Sequence, residues 1–150
     1  MGIAIGDSAL IQILNNTKAP YNIGTPSAQI AYDALSPEGL AKMNEYRSAL
    51  IAQRNVLIQQ FQNFKVPGLG RILGTNDANF VLLEVLDKEG KPCNTRCEKI
   101  YKLMAESKDV VVRFRGKEYG CTGCLRITVG TEQENKILVE RLTEALNETA

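Results

Sequence analysis

The sequence predicts an α+β fold in which a helical N-terminal arm with one long helix precedes a ββαββα unit. Two observations support this prediction. Residues 1–65 combine helix-starting signals with helical spacing of apolar residues, and after Pro67-Gly68 the apolar residues alternate as in strands. The predicted domains are a helical arm with a long connecting helix over residues 1–65 and an α+β small domain over residues 66–150.

The two short helices of the arm are marked by their start signals. Residues 7–16 predict a helix with Asp7 at its N-cap. The Thr25-Pro26 pair, read as a cap and a first helical position, predicts a second helix that ends near Ala34.

The longest helix is predicted over residues 37–64, beginning at the Ser36-Pro37 signal. At 1.5 Å per residue it would be about 42 Å long, which is more than a compact domain of this size requires. The length suggests a helix that connects to, or packs across, something larger. Its apolar residues form one stripe: Met43, Tyr46, Leu50, Leu57, Phe61 and Phe64.

The second half of the chain predicts four strands and two helices. The strands are expected at residues 71–74, 79–85, 110–115 and 125–129, the first of them weak. Capping boxes, each a Thr followed three residues later by a Glu, predict both helix starts. They are Thr95-x-x-Glu98, for a helix to about Ser107, and Thr131-x-x-Glu134, for a C-terminal helix.

Composition excludes several classes of function. The net charge of +1 and the absence of any apolar run near the roughly 20 residues of a spanning helix predict neither nucleic-acid nor membrane partners. The chain has no histidine, so it supplies no imidazole base or ligand, and no lysine lies in an apolar stretch. We therefore predict no catalytic residue within this chain.

No secretory signal is recognised at the N-terminus, which predicts a reducing, cytoplasmic location.

The four cysteines raise the question of a metal or redox site. Cys121 and Cys124 form a CxxC motif, whereas Cys93 and Cys97 have a spacing that structural zinc sites rarely use. No βαβ unit surrounds the CxxC motif, as a thioredoxin-like site would require. We predict no metal site and reduced, half-buried thiols, with a small zinc or redox domain as the alternative.

Two arginines are predicted to face each other. If residues 116–123 close a hairpin symmetrically, Arg113 lies opposite Arg126 on the face away from the aliphatic side chains. Opposed like charges are unfavourable, so a shared phosphate or carboxylate is a natural reason for the pair. Two other interpretations remain open: solvated arginines on an open sheet face, or ion pairs with Glu84 or Glu118.

Several segments resemble one enzyme family in their order along the chain. Residues 18–29 (KAPYNIGTPSAQ), 79–83 (NFVLL), 112–113 (VR) and 125–131 (LRITVGT) are similar to the C-terminal part of histidinol-phosphate aminotransferases. These are fold-type I pyridoxal-phosphate (PLP) enzymes of histidine biosynthesis. The resemblance extends over essentially the whole chain, and it implies that residues 66–150 form the small domain of that fold.

The resemblance also assigns roles to individual residues. It implies that Arg126 grips the anionic end of the substrate and that Arg113 helps to hold the substrate phosphate. It places Asn22 near the active site or the dimer interface. The Schiff-base lysine of the family falls upstream of Met1, so the resemblance implies that this chain binds no PLP covalently and is inactive alone.

The function predicted from the resemblance is the substrate-phosphate clamp of a transaminase that transfers an amino group between glutamate and imidazole-acetol phosphate. The partners implied are the missing N-terminal large domain, on which residues 1–65 would pack, a second copy in a homodimer, and a small phosphorylated substrate. Two alternatives remain: an autonomous anion- or phospho-metabolite-binding module, and part of an aromatic- or aspartate-type aminotransferase.

Overall fold

The computed structural model describes residues 2–19, 23–64 and 66–150 of the chain. Within them are five helices and one four-stranded antiparallel sheet, which confirms the predicted α+β class. The chain divides into two compact units, Met1–Tyr46 and Arg47–Ala150. Every helix in the described segments is too short or too polar to cross a bilayer.

The first unit contains helices α1 (Ser8–Thr17) and α2 (Thr25–Ala34) and the beginning of α3 (Pro37–Asn63). The carboxylate of Asp7 accepts a hydrogen bond from the backbone N–H of Ala9 at 2.9 Å, which confirms the predicted cap. Neither α1 nor α2 has a buried residue. Much of the apolar surface of this unit is therefore exposed.

One predicted cap in this unit is wrong by a residue. Gly24, rather than Thr25, is the N-cap of α2, and Thr25 is already helical. The following proline lies in the first turn of the helix, where a backbone N–H has no intrahelical partner to lose.

The second unit contains the sheet and the end of α3. Its elements follow in the order β1 (Leu69–Leu73), β2 (Phe80–Val85), α4 (Asn94–Ser107), β3 (Arg113–Phe114), β4 (Cys124–Thr128) and α5 (Glu132–Glu148). This is the predicted ββαββα order. Across the sheet the strands lie in the order β1-β2-β4-β3, so the long connection through α4 brings β4 beside β2.

The hydrophobic core lies on one face of the sheet. Alternate residues of β2 and β4 contribute Val81, Leu83, Leu125 and Ile127, all of them buried. Helices α3, α4 and α5 cover these side chains with Leu57, Phe61, Cys97, Ile100, Met104, Leu138, Leu142, Ala145 and Leu146. The opposite face of β2 and β4 carries Glu84, Arg126 and Thr128 together with Phe80 and Leu82.

Helix α3 belongs to both units. From its predicted stripe, Leu57 and Phe61 are buried in the core of the second unit, whereas Met43, Tyr46 and Leu50 are exposed. The boundary between the compact units falls inside this helix, between Tyr46 and Arg47. The functional domain boundary between residues 65 and 66 stays a prediction.

The capping box predicted at Thr95 and Glu98 is wrong. Helix α4 begins two residues earlier, at Asn94, with Cys93 as an N-cap that makes no side-chain hydrogen bond. The side chain of Asn94 binds the β3–β4 hairpin instead: its Nδ2 donates to Gly116 O at 3.0 Å and its Oδ1 accepts from Gly123 N at 2.7 Å. A tertiary contact has replaced the local cap.

The second capping box is confirmed at the start of α5. Thr131 Oγ1 accepts a hydrogen bond from Glu134 N at 3.3 Å, and Glu134 Oε2 accepts one from Thr131 N at 2.8 Å. These reciprocal bonds satisfy two backbone N–H groups that have no partner within the helix.

Strand β3 is much shorter than the six residues predicted. Asp109 has a positive φ of 55°, and Val110 N donates to Met104 O in the last turns of α4 at 3.0 Å. Val110, the first residue of the predicted strand, is therefore bound to the C-terminal end of α4, and only Arg113–Phe114 pairs with β4.

Candidate anion-binding site

Arg113 lies directly opposite Arg126 across strands β3 and β4, and Phe114 lies opposite Leu125. This register confirms the symmetric hairpin predicted from the sequence. Leu125 is buried in the core, so Arg126, the next residue, projects from the other face of the sheet. The two guanidinium groups thus belong to the same open face.

Neither arginine has a carboxylate partner within the described residues. The two acids that were candidates are bound elsewhere: Glu84 pairs with Arg71, and Glu118 pairs with Arg115 at 2.8 Å. Arg113 Nη1 donates to the carbonyl of its own neighbour Val112 at 3.3 Å, which is a long contact. The ion-pair interpretation of the arginines is therefore excluded.

The guanidinium of Arg126 is held against an aromatic ring. Its Cζ atom lies 5.3 Å from the ring centroid of Phe80, a cation–π distance. Arg126 Nε is buried and has no hydrogen-bond partner in the described part of the chain. A buried donor without an acceptor costs about 1–3 kcal/mol, so this group is suited to an incoming anion.

Glu84 lies one diagonal step from Arg126 on the same face of the sheet, and Arg71 occupies both of its oxygens. Glu84 Oε2 accepts from Arg71 N and Nε at 3.0 and 2.9 Å, and Oε1 accepts from Arg71 Nη2 at 2.8 Å. The residue is only 4% exposed. The hydrogen bond from Arg71 lowers the pKa of Glu84 although burial opposes it, so the carboxylate is ionised at neutral pH.

The cysteines give no sign of metal or thiolate chemistry. Burial raises the pKa of Cys97 to about 12 and that of Cys124 to about 11, so both thiols are protonated at neutral pH. All four cysteines are free. Among the described residues, no three or more cysteines, aspartates or glutamates are grouped as metal ligands.

The third residue predicted for the site, Asn22, lies outside the described residues. Two features of the site were not predicted from the sequence: the ring of Phe80 beneath Arg126 and the binding of Glu84 by Arg71. The contact of Phe80 depends on the pairing of β2 with β4, which no short hairpin connects, and the contact of Arg71 depends on a ladder between β1 and β2 that is irregular between Leu69 and Ile72. Period-two alternation places Phe80 and Glu84 on the same face of β2, but it does not identify what lies beside them.

Comparison with known proteins identifies the family. The sequence model described as aminotransferase class I and II matches residues 1–142. The chain belongs to the class I and II aminotransferase family. This membership agrees with the predicted resemblance over nearly the whole chain.

Among the curated aminotransferases, the chain is similar to histidinol-phosphate aminotransferases of three yeasts. It is 46% identical to the protein of Schizosaccharomyces pombe, 42% to that of Candida maltosa and 35% to that of Saccharomyces cerevisiae. These matches cover 99–100% of the chain but only 37–38% of each relative. The chain therefore spans little more than a third of the length of these aminotransferases.

Solved aminotransferase structures share the fold. A histidinol-phosphate aminotransferase from Clostridium acetobutylicum matches 95% of this chain with a TM-score of 0.76 and 19% identity, over 39% of its own length. A putative aminotransferase from Burkholderia pseudomallei matches 94% of this chain with a TM-score of 0.71 and 23% identity, over 38% of its length.

Aminotransferases of this family use PLP, which forms an imine with a lysine whose amino group is neutral when it reacts. No lysine in residues 66–150 lies on any of the four strands of the sheet, two of which carry the arginine pair. Lys108, the one with a raised pKa, is bound by Glu144 at 3.0 Å and Glu148 at 2.6 Å, which favours its charged form. The described strands therefore carry no lysine that could hold PLP beside the arginine pair.

Proposed function

We propose that this chain is the small-domain part of a histidinol-phosphate transaminase and that its sheet holds the phosphate of the substrate. The observation that carries the proposal is the opposed pair Arg113 and Arg126, which has no carboxylate partner among the described residues. The three yeast relatives indicate which aminotransferase is concerned. The reaction would transfer an amino group between glutamate and imidazole-acetol phosphate in the cytoplasm.

The chemistry of the pair suits a phosphate monoester. A phosphate dianion between two guanidinium groups relieves their mutual repulsion, and each planar fork can donate two parallel hydrogen bonds to its oxygens. Arg126 would act as the main anchor, since its orientation is fixed by Phe80 and its Nε is buried without an acceptor. Arg113, on the exposed end strand β3, would close on the same anion.

The proposed division of labour leaves the chemical step to the rest of the enzyme. PLP, when bound there, supplies the electron sink for amino transfer. This chain would bind the substrate phosphate and orient the remainder of the substrate toward the cofactor. The exposed apolar side chains of the first unit, including Leu10, Ile13 and Ile30, offer a surface for the large domain, and a homodimer is part of the same proposal. Asn22 remains a proposed contact near the active site or the dimer interface.

An autonomous phospho-metabolite-binding module is the second candidate. It is favoured by one observation: the whole arginine pair, with its supporting Phe80, lies within the second compact unit. Calorimetry with histidinol phosphate on the 150-residue chain separates the two. Micromolar binding would favour the module, and measurable binding only at millimolar concentrations would favour a clamp that needs the remainder of the enzyme. An aromatic- or aspartate-type substrate would be indicated by a preference for a carboxylate over a phosphate.

The transaminase itself is tested by complementation. The chain is mixed with the part of the Schizosaccharomyces pombe relative that it does not match, and amino transfer from glutamate to imidazole-acetol phosphate is measured. We expect activity only in the mixture and a loss of at least about a hundredfold in kcat/KM with Arg126→Ala, the cost of a charge-assisted bidentate contact. Arg141→Ala is the matched control, since Arg141 pairs with Glu144 on α5 away from the site. Equal activity of the Arg126→Ala mixture would exclude the clamp.

A further inference from the structure

Glu84 is close enough to Arg126 to compete with an anion for it. Leu82 lies opposite Arg126 and Glu84 lies opposite Cys124, so Glu84 is one diagonal step from Arg126 on the same face. Diagonal neighbours across antiparallel strands are about 7–8 Å apart, within reach of a long side chain. An unrestrained carboxylate at this position would be the natural partner of Arg126.

The carboxylate is not unrestrained, because Arg71 supplies three hydrogen bonds to it. The backbone N, Nε and Nη2 of Arg71 together occupy both carboxylate oxygens, at 2.8–3.0 Å. The glutamate is almost completely buried, whereas the Arg71 side chain is 78% exposed. The cation that binds Glu84 is thus the exposed Arg71 and not Arg126, whose Nε has no hydrogen-bond partner.

We propose that Arg71 is a positioning residue that keeps the anion site open by binding Glu84 away from Arg126. The inference rests on the proposed function, because an open site matters only if Arg126 binds the substrate. Without Arg71, the buried carboxylate needs another cation, since an ionised carboxylate that is buried and unpaired is strongly unfavourable. Arg126, one diagonal step away, has an unused donor, and an intramolecular ion pair there would displace the phosphate.

A purely structural role of the Arg71–Glu84 pair would be to join β1 to β2. The two roles differ in what happens to Glu84 when Arg71 is removed. The carboxyl titration of Glu84, followed by carbon NMR, reports this without any ligand. The charged and titratable groups beside this carboxyl are Arg71, which binds it from β1, and on β4 Cys124, directly opposite, and Arg126, one diagonal step away.

We expect the pKa of Glu84 to stay below its ordinary value of 4.5 in Arg71→Ala, because Arg126 takes over as its partner. In the double variant Arg71→Ala/Arg126→Ala it should rise above that value, because burial is then unopposed. If Arg71→Ala alone already raises the pKa above 4.5, and the second substitution adds nothing, the proposal is overturned. Arg71→Gln, which removes the cation but keeps a long polar side chain, serves the same comparison if the alanine variant does not fold.

Titration with inorganic phosphate supplies the second readout. Arg71→Ala should weaken phosphate binding about fivefold, the size of one partly exposed ion pair, and Arg71→Ala/Glu84→Gln should restore it to within about twofold of the unsubstituted chain. Loss without rescue would mean that Arg71 acts only through the packing of β1. If the unsubstituted chain binds no phosphate, the proposed function fails, while the titration of Glu84 still decides whether Arg71 holds this carboxylate away from Arg126.

Discussion

Arg113 and Arg126 occupy directly opposed positions on adjacent antiparallel strands, and no described carboxylate neutralises either of them. Placing two guanidinium groups opposite each other destabilises a sheet by a few tenths of a kcal/mol to about 1 kcal/mol. A site of this kind gains stability when an anion occupies it, which links folding to binding.

Inorganic phosphate should therefore stabilise the chain against heat. A ligand that binds only the folded state adds about 1.4 kcal/mol when its concentration is ten times its Kd. Differential scanning fluorimetry should show a rise in Tm with phosphate for the unsubstituted chain and almost none for Arg126→Ala. Chloride at matched ionic strength is the control. An equal rise in both proteins would indicate nonspecific salt stabilisation.

Substitution of Phe80 should weaken anion binding without removing it. The ring of Phe80 lies 5.3 Å from the guanidinium carbon of Arg126, and a cation–π contact of this kind contributes about 0.5–1 kcal/mol. Phe80→Leu should therefore raise the Kd for phosphate about two- to fivefold. Phe80→Tyr keeps an aromatic face and should bind like the unsubstituted chain. Unchanged affinity in Phe80→Leu would show that Arg126 needs no aromatic support.

The two predicted capping boxes can be compared directly by mutation. Thr131→Ala removes a true N-cap and should cost about 1 kcal/mol of unfolding free energy. Thr95→Ala should cost less than about 0.5 kcal/mol, because Thr95 lies within α4 and caps nothing. Urea denaturation monitored by circular dichroism gives both values. Similar costs would mean that Thr95 contributes a cap that the observed start of α4 does not show.

Acid should destabilise the chain partly through Glu84. The folded pKa of Glu84 is lowered, so its contribution to stability is complete above its ordinary value of 4.5 and is lost as the pH falls through the folded value. The unfolding free energy of Glu84→Gln should therefore fall less steeply below pH 4.5 than that of the unsubstituted chain. Parallel curves in urea titrations at each pH would contradict the lowered pKa.

The buried thiols should resist alkylation. Burial raises the pKa of Cys97 to about 12 and that of Cys124 to about 11, so almost no thiolate forms at pH 8. Mass spectrometry after brief treatment with iodoacetamide should find the label on Cys93 and Cys121, which are half-buried, before these two. In denaturant all four should react alike. Rapid labelling of Cys124 in the folded chain would show that the arginine face is more open than described.

The sequence predicts that Arg113 and Arg126 face each other, but it does not predict the contacts that Phe80 and Glu84 make around them, and the reason is physical. Arg113 and Arg126 are joined by a short hairpin, so local chain geometry fixes which residues face each other. Phe80 lies on β2, whose pairing with β4 forms across the long connection through α4, and the ladder between β1 and β2 is irregular beside Arg71, the partner of Glu84. No local rule determines the register of such a pair.

The same distinction explains the helix starts. The box of Thr131 and Glu134 closes on itself and was predicted correctly. At α4, the contact of Asn94 with the hairpin residues Gly116 and Gly123 comes from a distant part of the chain, and local spacing does not reveal it.

Nitrogen NMR of the Nε–H group of Arg126 would test directly whether this residue binds the substrate anion. The group is buried and without a partner, so its signal should be resolved and should shift on titration with inorganic phosphate. We expect a saturable shift in the unsubstituted chain that is weakened about tenfold in Arg113→Ala, since one of two charge-assisted contacts is lost. A signal that does not respond to phosphate, while the signal of the control residue Arg141 shifts as much with phosphate as with chloride, would contradict the claim.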